Sequence, residues 1–171
     1  MPGDSEAIRE RILAATLDVL TRTGPRKLSL SEVAAEAGVS RPTLYRWYPS
    51  KEHLLEAFGE YEQAKYDAGL AAAIASVKPA NRLDAILRFI VEYQHTYSLR
   101  DIVDIEPDHA LRQMSRVLPI MRERLMPHFP GRQGRVTATI VTRNALSHLL
   151  VPDDDPDLFL QELRQAAGLT K

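Results

Sequence analysis

Apolar residues recur at helical spacing along nearly the whole chain, and no stretch alternates as a half-buried strand would. Ile8, Ile12, Ala15 and Val19 form one face of a first helix, which Gly24-Pro25 ends: glycine for the closing turn, proline against continuation. Ser29-Leu30-Ser31-Glu32 is a capping box that opens a second helix, with Val33, Ala34 and Ala37 turned inward and Gly38 at its end. Ser40 caps a third helix, and Pro42 is tolerated in its first turn. That helix is short, because Pro49 drives Tyr48 out of helical geometry. Ser50 caps a long fourth helix carrying Leu54, Leu55 and Phe58.

Beyond the break at Lys78-Pro79, helices are predicted over 81–98, from Pro107, a separate one through Met121 and Leu125, over 132–151, and from Asp155-Pro156 through Phe159, Leu163 and Ala166. Pro119 should kink the spacing that Met114, Leu118, Met121 and Leu125 share, and Pro127 and Pro130-Gly131 end the helix through Leu125. No internal repeat or low-complexity segment interrupts the pattern. The fold class is therefore all-α.

Charge changes this picture in one place. The net charge of the 171 residues is −1, which argues against nucleic acid until its distribution is read. Residues 22–51 hold Arg22, Arg26, Lys27, Arg41, Arg46 and Lys51 against only Glu32 and Glu36. Residues 52–171 carry 14 Lys/Arg against 17 Asp/Glu. A basic segment on a mildly acidic body is an electrostatic footprint for phosphate, although a solvated charged face would look the same.

The basic segment coincides with a helix, a tight turn at Gly38-Val39-Ser40 and a short second helix, the helix-turn-helix arrangement. Reading DNA asks for a second helix that is polar at its N-terminal end, so that side chains reach base edges and free N–H groups meet phosphate. Arg41, Thr43, Tyr45 and Arg46 lie on its outer side, Leu44 and Tyr48 hold it to the small core, and Lys51 adds a phosphate contact.

Residues 8–58 resemble the DNA-binding domain of TetR-type repressors. The matching run is Leu28 to Ser40, with its Ala37-Gly38-Val39-Ser40 turn, followed by Arg41 to Glu52, with Thr43-Leu44-Tyr45 and the Pro49-Ser50-Lys51 cap. The resemblance implies about nine helices: a three-helix DNA-binding domain over 1–50 and a helical ligand-sensing and dimerisation domain over 51–171. It also implies a homodimer that loses DNA affinity when a ligand binds. It puts Arg41, Pro42 and Thr43 at base edges, and Tyr45, Trp47 and Lys51 at phosphates. Ser31 falls where a longer base-reading side chain often stands, and Tyr48 where phenylalanine is common. Trp47 also fits a core position.

In the second part, Leu83, Ile86, Leu87, Ile90, Gln94 and Tyr97 share one stripe of the helix over 81–98, flanked by Phe89 and Tyr93. Gln94 is a polar group in an apolar face, so its amide either pairs with protein groups or anchors a ligand in a cavity. Met114 and Met121, in a stripe with Leu118 and Leu125, would line the other wall or serve as core. The expected effector is a small apolar molecule with one polar group, held by Phe89, Tyr93, Gln94, Tyr97, Met114 and Met121. Residues 136–151 hold only Arg143 as a strong charge, with His148, so this helix is expected to be covered on two sides. A homodimer through residues 132–168 follows from that composition, and the family layout agrees.

Other classes find little support. The chain has no cysteine, hence no disulfide, thiol nucleophile or cysteine-held metal. Neither glycine-rich phosphate loops nor a G-x-S-x-G elbow occur, and His53, His95, His109, His128 and His148 lack metal-ligand spacing. Glu106, Asp108 and His109 read as the acidic start of a helix before they read as a metal site. No catalytic site, cofactor or metal is expected. No membrane span or secretory signal is visible, and a cytoplasmic location follows. The reading is a ligand-responsive DNA-binding transcription regulator, a repressor released from a double-stranded operator by its effector. The alternative is a DNA-binding regulator that is constitutive or answers to a protein partner.

Overall fold

The computed structural model describes residues 2–96, 107–129, 131–151 and 155–169. Among these the structure is helical throughout. Eight α-helices run α1 (Pro2–Lys27), α2 (Leu30–Glu36), α3 (Arg41–Trp47), α4 (Lys51–Ala75), α5 (Arg82–Thr96), α6 (Pro107–Leu125), α7 (Gly134–Leu150) and α8 (Pro156–Ala166). Short 3-10 turns at Pro79–Asn81 and Met126–His128 precede α5 and follow α6. The chain divides into two compact units, one reaching Asp67 and the other starting at Ala68, so the division falls inside α4.

Helix boundaries follow local chemistry. Gly24, at φ 74°, breaks the helical backbone of α1 at the predicted end, and Pro25–Lys27 add one more turn. Ser29 Oγ accepts from the Ser31 N–H, and Asp155 Oδ1 accepts from the N–H groups of Asp157 and Leu158. Pro119 lies inside α6 without dividing it, although its missing N–H removes one bond of the helical ladder.

In the first unit Ile12, Leu13, Val19, Val33, Leu44 and Leu54 are completely buried. The second unit packs α5, α7 and α8 around Ile86, Leu87, Val141, Phe159 and Leu163, closed at one side by Leu125 and Phe129. Each such side chain contributes about 1.5–3 kcal/mol by leaving water. The buried hydroxyls of Thr16 and Thr142 donate to the carbonyls of Ile12 and Ala138 in their own helices.

Two contacts fix helix positions in the second unit. Asp84 on α5 accepts from Arg164 of α8 at 2.6 Å and from Arg88 at 2.9 Å. Arg164 first and then Arg88 hold the Asp84 carboxyl below its ordinary value of 3.8. A depressed folded-state pKa stabilises above the unfolded value and is lost as pH falls toward the folded one. Asp84→Asn should therefore lower the melting temperature at neutral pH, and the gap to wild type should close below about pH 4. A gap that persists unchanged at acid pH would remove the ion pair as its cause.

The second contact sets the Phe89 ring of α5 against Gly69 of α4. A Cβ at Gly69 would lie 2.7 Å from Phe89 Cε2, so only glycine lets this ring lie on α4. Gly69→Ala should cost about 1–3 kcal/mol in urea denaturation, and Phe89→Leu in that background should recover part of it. Wild-type stability in Gly69→Ala would refute the contact.

Candidate nucleic-acid interface

The geometry of α2 and α3 is set by the turn between them. Gly38 takes φ 62°, a left-handed conformation that favours glycine, and the Val39 N–H returns to the Ala34 carbonyl at 3.0 Å. Ser40 then caps α3, its Oγ accepting from the Thr43 N–H at 3.2 Å. The hydroxyls of Ser40 and Thr43 share a further hydrogen bond of 2.8 Å. Tyr48 leaves helical geometry at φ −133°, just before Pro49, and ends α3 after seven residues.

Leu44 is fully buried and Tyr48 nearly so, which fixes the rotation of α3 about its axis. Arg41, Pro42, Tyr45 and Arg46 are exposed as a result, forming one side without an acidic residue. Guanidinium forks and a phenol on a free helix face suit base edges and phosphate oxygens. Thr43 is half-buried beside them.

The remaining predicted residues are placed differently. Trp47 is half-buried, and its Nε1 is buried with no hydrogen-bond partner among the described residues. Its donor is turned away from solvent, as a core residue's would be and a phosphate contact's would not. Ser31 is half-buried next to the cap of α2. Lys51 Nζ donates to the Arg26 carbonyl at 2.8 Å and so satisfies the end of α1. Arg22 pairs with Glu36 at 3.2 Å, tying α1 to α2 and neutralising an acid close to the turn. Both links join residues far apart in sequence; only the presence of the charges was visible there.

In the second unit the structure brings Phe89 and Tyr93 together, ring centroids 5.7 Å apart. Met114 and Met121 are half-buried on α6 near Leu118 and Leu125. Tyr97, Glu106 and Asp153 to Asp154 lie outside the described residues. Gln94 corrects the expectation of a ligand anchor. Its Nε2 donates to the Ala145 carbonyl at 2.9 Å and its Oε1 meets His148 Nδ1 at 3.2 Å. Because Nε2 is the donating end, Oε1 accepts, and His148 holds its proton on Nδ1. The amide is consumed in joining α5 to α7, and the His148 ring stacks on Phe159 of α8 at 3.6 Å. Among the described residues no group of three His, Asp or Glu side chains converges on one point, and no helix is long and apolar enough to cross a membrane.

Residues 12–58 match the family model for bacterial regulatory proteins of the tetR family. KstR, a transcriptional repressor of Mycolicibacterium smegmatis, is 45% identical over 87 residues, covering 47% of this chain and 41% of KstR. LfrR, a repressor of the same species, is 34% identical over 95 residues, covering 54% of this chain and 49% of LfrR. Such matches span about two fifths to one half of each relative's length. Among solved structures, the TetR-family regulator SCO4454 of Streptomyces coelicolor superposes with TM-score 0.70 at 20% identity over 95% of this chain and 93% of that one. The fatty acid degradation regulator FadR of Bacillus halodurans gives 0.70 at 14% identity, over 94% of both chains. The n-alkane-associated repressor AlkX of a Dietzia strain gives 0.62 at 21% identity, over 92% and 94%. These likenesses extend the fold, though not the activity, over nearly the whole chain.

Proposed function

From a chain with a TetR-type DNA-binding domain at its N-terminus, we propose a homodimeric transcription regulator that binds a two-fold symmetric operator. The observation that carries this is the acid-free outer side of α3, with Arg41, Pro42, Tyr45 and Arg46 exposed on a helix pinned by buried Leu44. Ser31, Thr43 and Lys51 are the further candidate contacts. Such a side enters the major groove, and a two-fold dimer offers two of them about one helical turn, roughly 34 Å, or a multiple of it apart. The protein acts as a binding regulator and not as a catalyst, in the compartment that holds the DNA. Selection of bound duplexes from a random pool tests the reading. A motif with two inverted half-sites is expected; recovery of unrelated sequences would defeat it.

The dimer is proposed through residues 132–168. Val136, Ile140 and Leu158 are 54%, 49% and 42% exposed in the single chain, an apolar stripe that a second copy would cover.

Repression relieved by a small apolar effector is the finer proposal. Phe89 and Tyr93 on α5, with Met114 and Met121 on α6, remain its candidate contacts, and Gln94 leaves the set. The descriptions of FadR and AlkX concern fatty acid degradation and n-alkanes, so fatty acids of graded length are the first compounds to test. Release of labelled operator, read by fluorescence anisotropy, is the expected result. Operator binding unchanged by every chain length would favour the second reading, regulation without an apolar effector, which the engaged Gln94 amide already supports.

A further inference from the structure

The outward stripe of α7 reads Val136, Ile140, Arg143, Ser147, and that of α8 reads Leu158, Glu162, Gln165, all of them exposed. The two stripes share one helical spacing. Each holds a single charge of opposite sign among its apolar and neutral residues. Among the described residues neither Arg143 nor Glu162 has an ion-pair or hydrogen-bond partner within the chain, although α7 and α8 pack on one another.

Association through these stripes would take both charges out of water. A desolvated charge without a partner is strongly unfavourable, whereas one matched to its opposite is tolerated. A two-fold interface is self-complementary: if residue i meets residue j across it, j meets i. Arg143 lies one residue past the middle of the 17-residue α7, and Glu162 one past the middle of the 11-residue α8. Where the middles of α7 and of the second copy's α8 lie side by side, the two charges stand at the same height.

We propose that Arg143 and Glu162 pair across the dimer two-fold, twice per dimer, and that this pairing selects a second copy of this chain as the partner of the α7–α8 face. The proposal rests on the dimer reading above and adds the residues that give the face its register and specificity. Arg143→Glu sets two carboxylates against each other across the interface, and Glu162→Arg sets two guanidiniums. Combining them restores opposite charges with the polarity reversed.

Sedimentation velocity over a concentration series is the test, with far-UV circular dichroism to establish that each variant is folded. Each single variant is expected to raise the dimer dissociation constant by about tenfold or more, and the double variant to recover most of that loss. A wild-type dimer with single variants unchanged, or a double variant no better than the singles, would overturn the pairing while leaving the dimer intact. A monomeric wild type would overturn both. A folded single variant that pairs with the complementary single variant better than with itself would be direct support.

Discussion

Ile140→Glu is expected to be a folded monomer at concentrations where the wild type is a dimer, and to bind operator at least about a hundredfold more weakly. Ile140 is half-exposed at the centre of the α7 stripe, so the unbound subunit tolerates a carboxylate there. In the dimer two such carboxylates would be buried without partners. A buried charge left unpaired costs about 3–5 kcal/mol, and each 1.4 kcal/mol is a factor of ten. DNA affinity should fall as dimerisation is lost, because a monomer carries one reading helix and grips one half-site. Light scattering and anisotropy on a symmetric duplex measure the two effects. A dimeric Ile140→Glu that binds normally would move the interface off α7.

Arg41→Ala and Lys51→Ala should separate two kinds of DNA contact. Arg41 is exposed at the first position of α3, where a bidentate guanidinium contact to guanine would discriminate by about 1–3 kcal/mol. Its loss should flatten sequence preference at one position per half-site. Lys51 is engaged with the Arg26 carbonyl, so a phosphate contact would have to share or replace that bond. Its loss should weaken binding to all sequences alike and lower the salt slope by about 0.9 per phosphate, or about 1.8 for the dimer. It should also loosen the end of α1. Competition binding across single-base variants at several salt concentrations reads both effects. Equal, sequence-independent losses would make Arg41 a phosphate contact. Normal binding in both variants would remove α3 from the interface.

How far the chain could be read depended on the range of each interaction. The caps at Ser29, Ser40 and Asp155 and the breaks at Gly24 and Gly38 act over two to four residues, and all were legible. The direction of α3 was legible because Leu44 and Tyr48 leave it one apolar side. Lys51 with Arg26, Gln94 with Ala145 and His148, and Arg164 with Asp84 join residues 25, 51, 54 and 80 apart, and no local pattern announces them. Gln94 in particular looked like an anchor because its stripe is apolar, whereas its partners lie on another helix. The sequence reading ended the first domain at residue 50, where a cap starts a new helix. Compactness divides the chain at Asp67, the last charged residue of α4, beyond which residues 68–75 carry no charge.

The hydrogen bond between the Ser40 and Thr43 hydroxyls has a chemical consequence for recognition. With its oxygen turned back to the cap at 2.8 Å, Thr43 has less polar capacity left for a base edge. What it can offer the groove is its methyl group. A methyl is the natural neighbour of the C5-methyl of thymine, which is the one apolar mark on the major-groove face of a base pair. Thr43 would then read by shape and exclusion of water beside the guanidinium of Arg41, and a thymine next to a guanine becomes the dinucleotide to look for in each half-site.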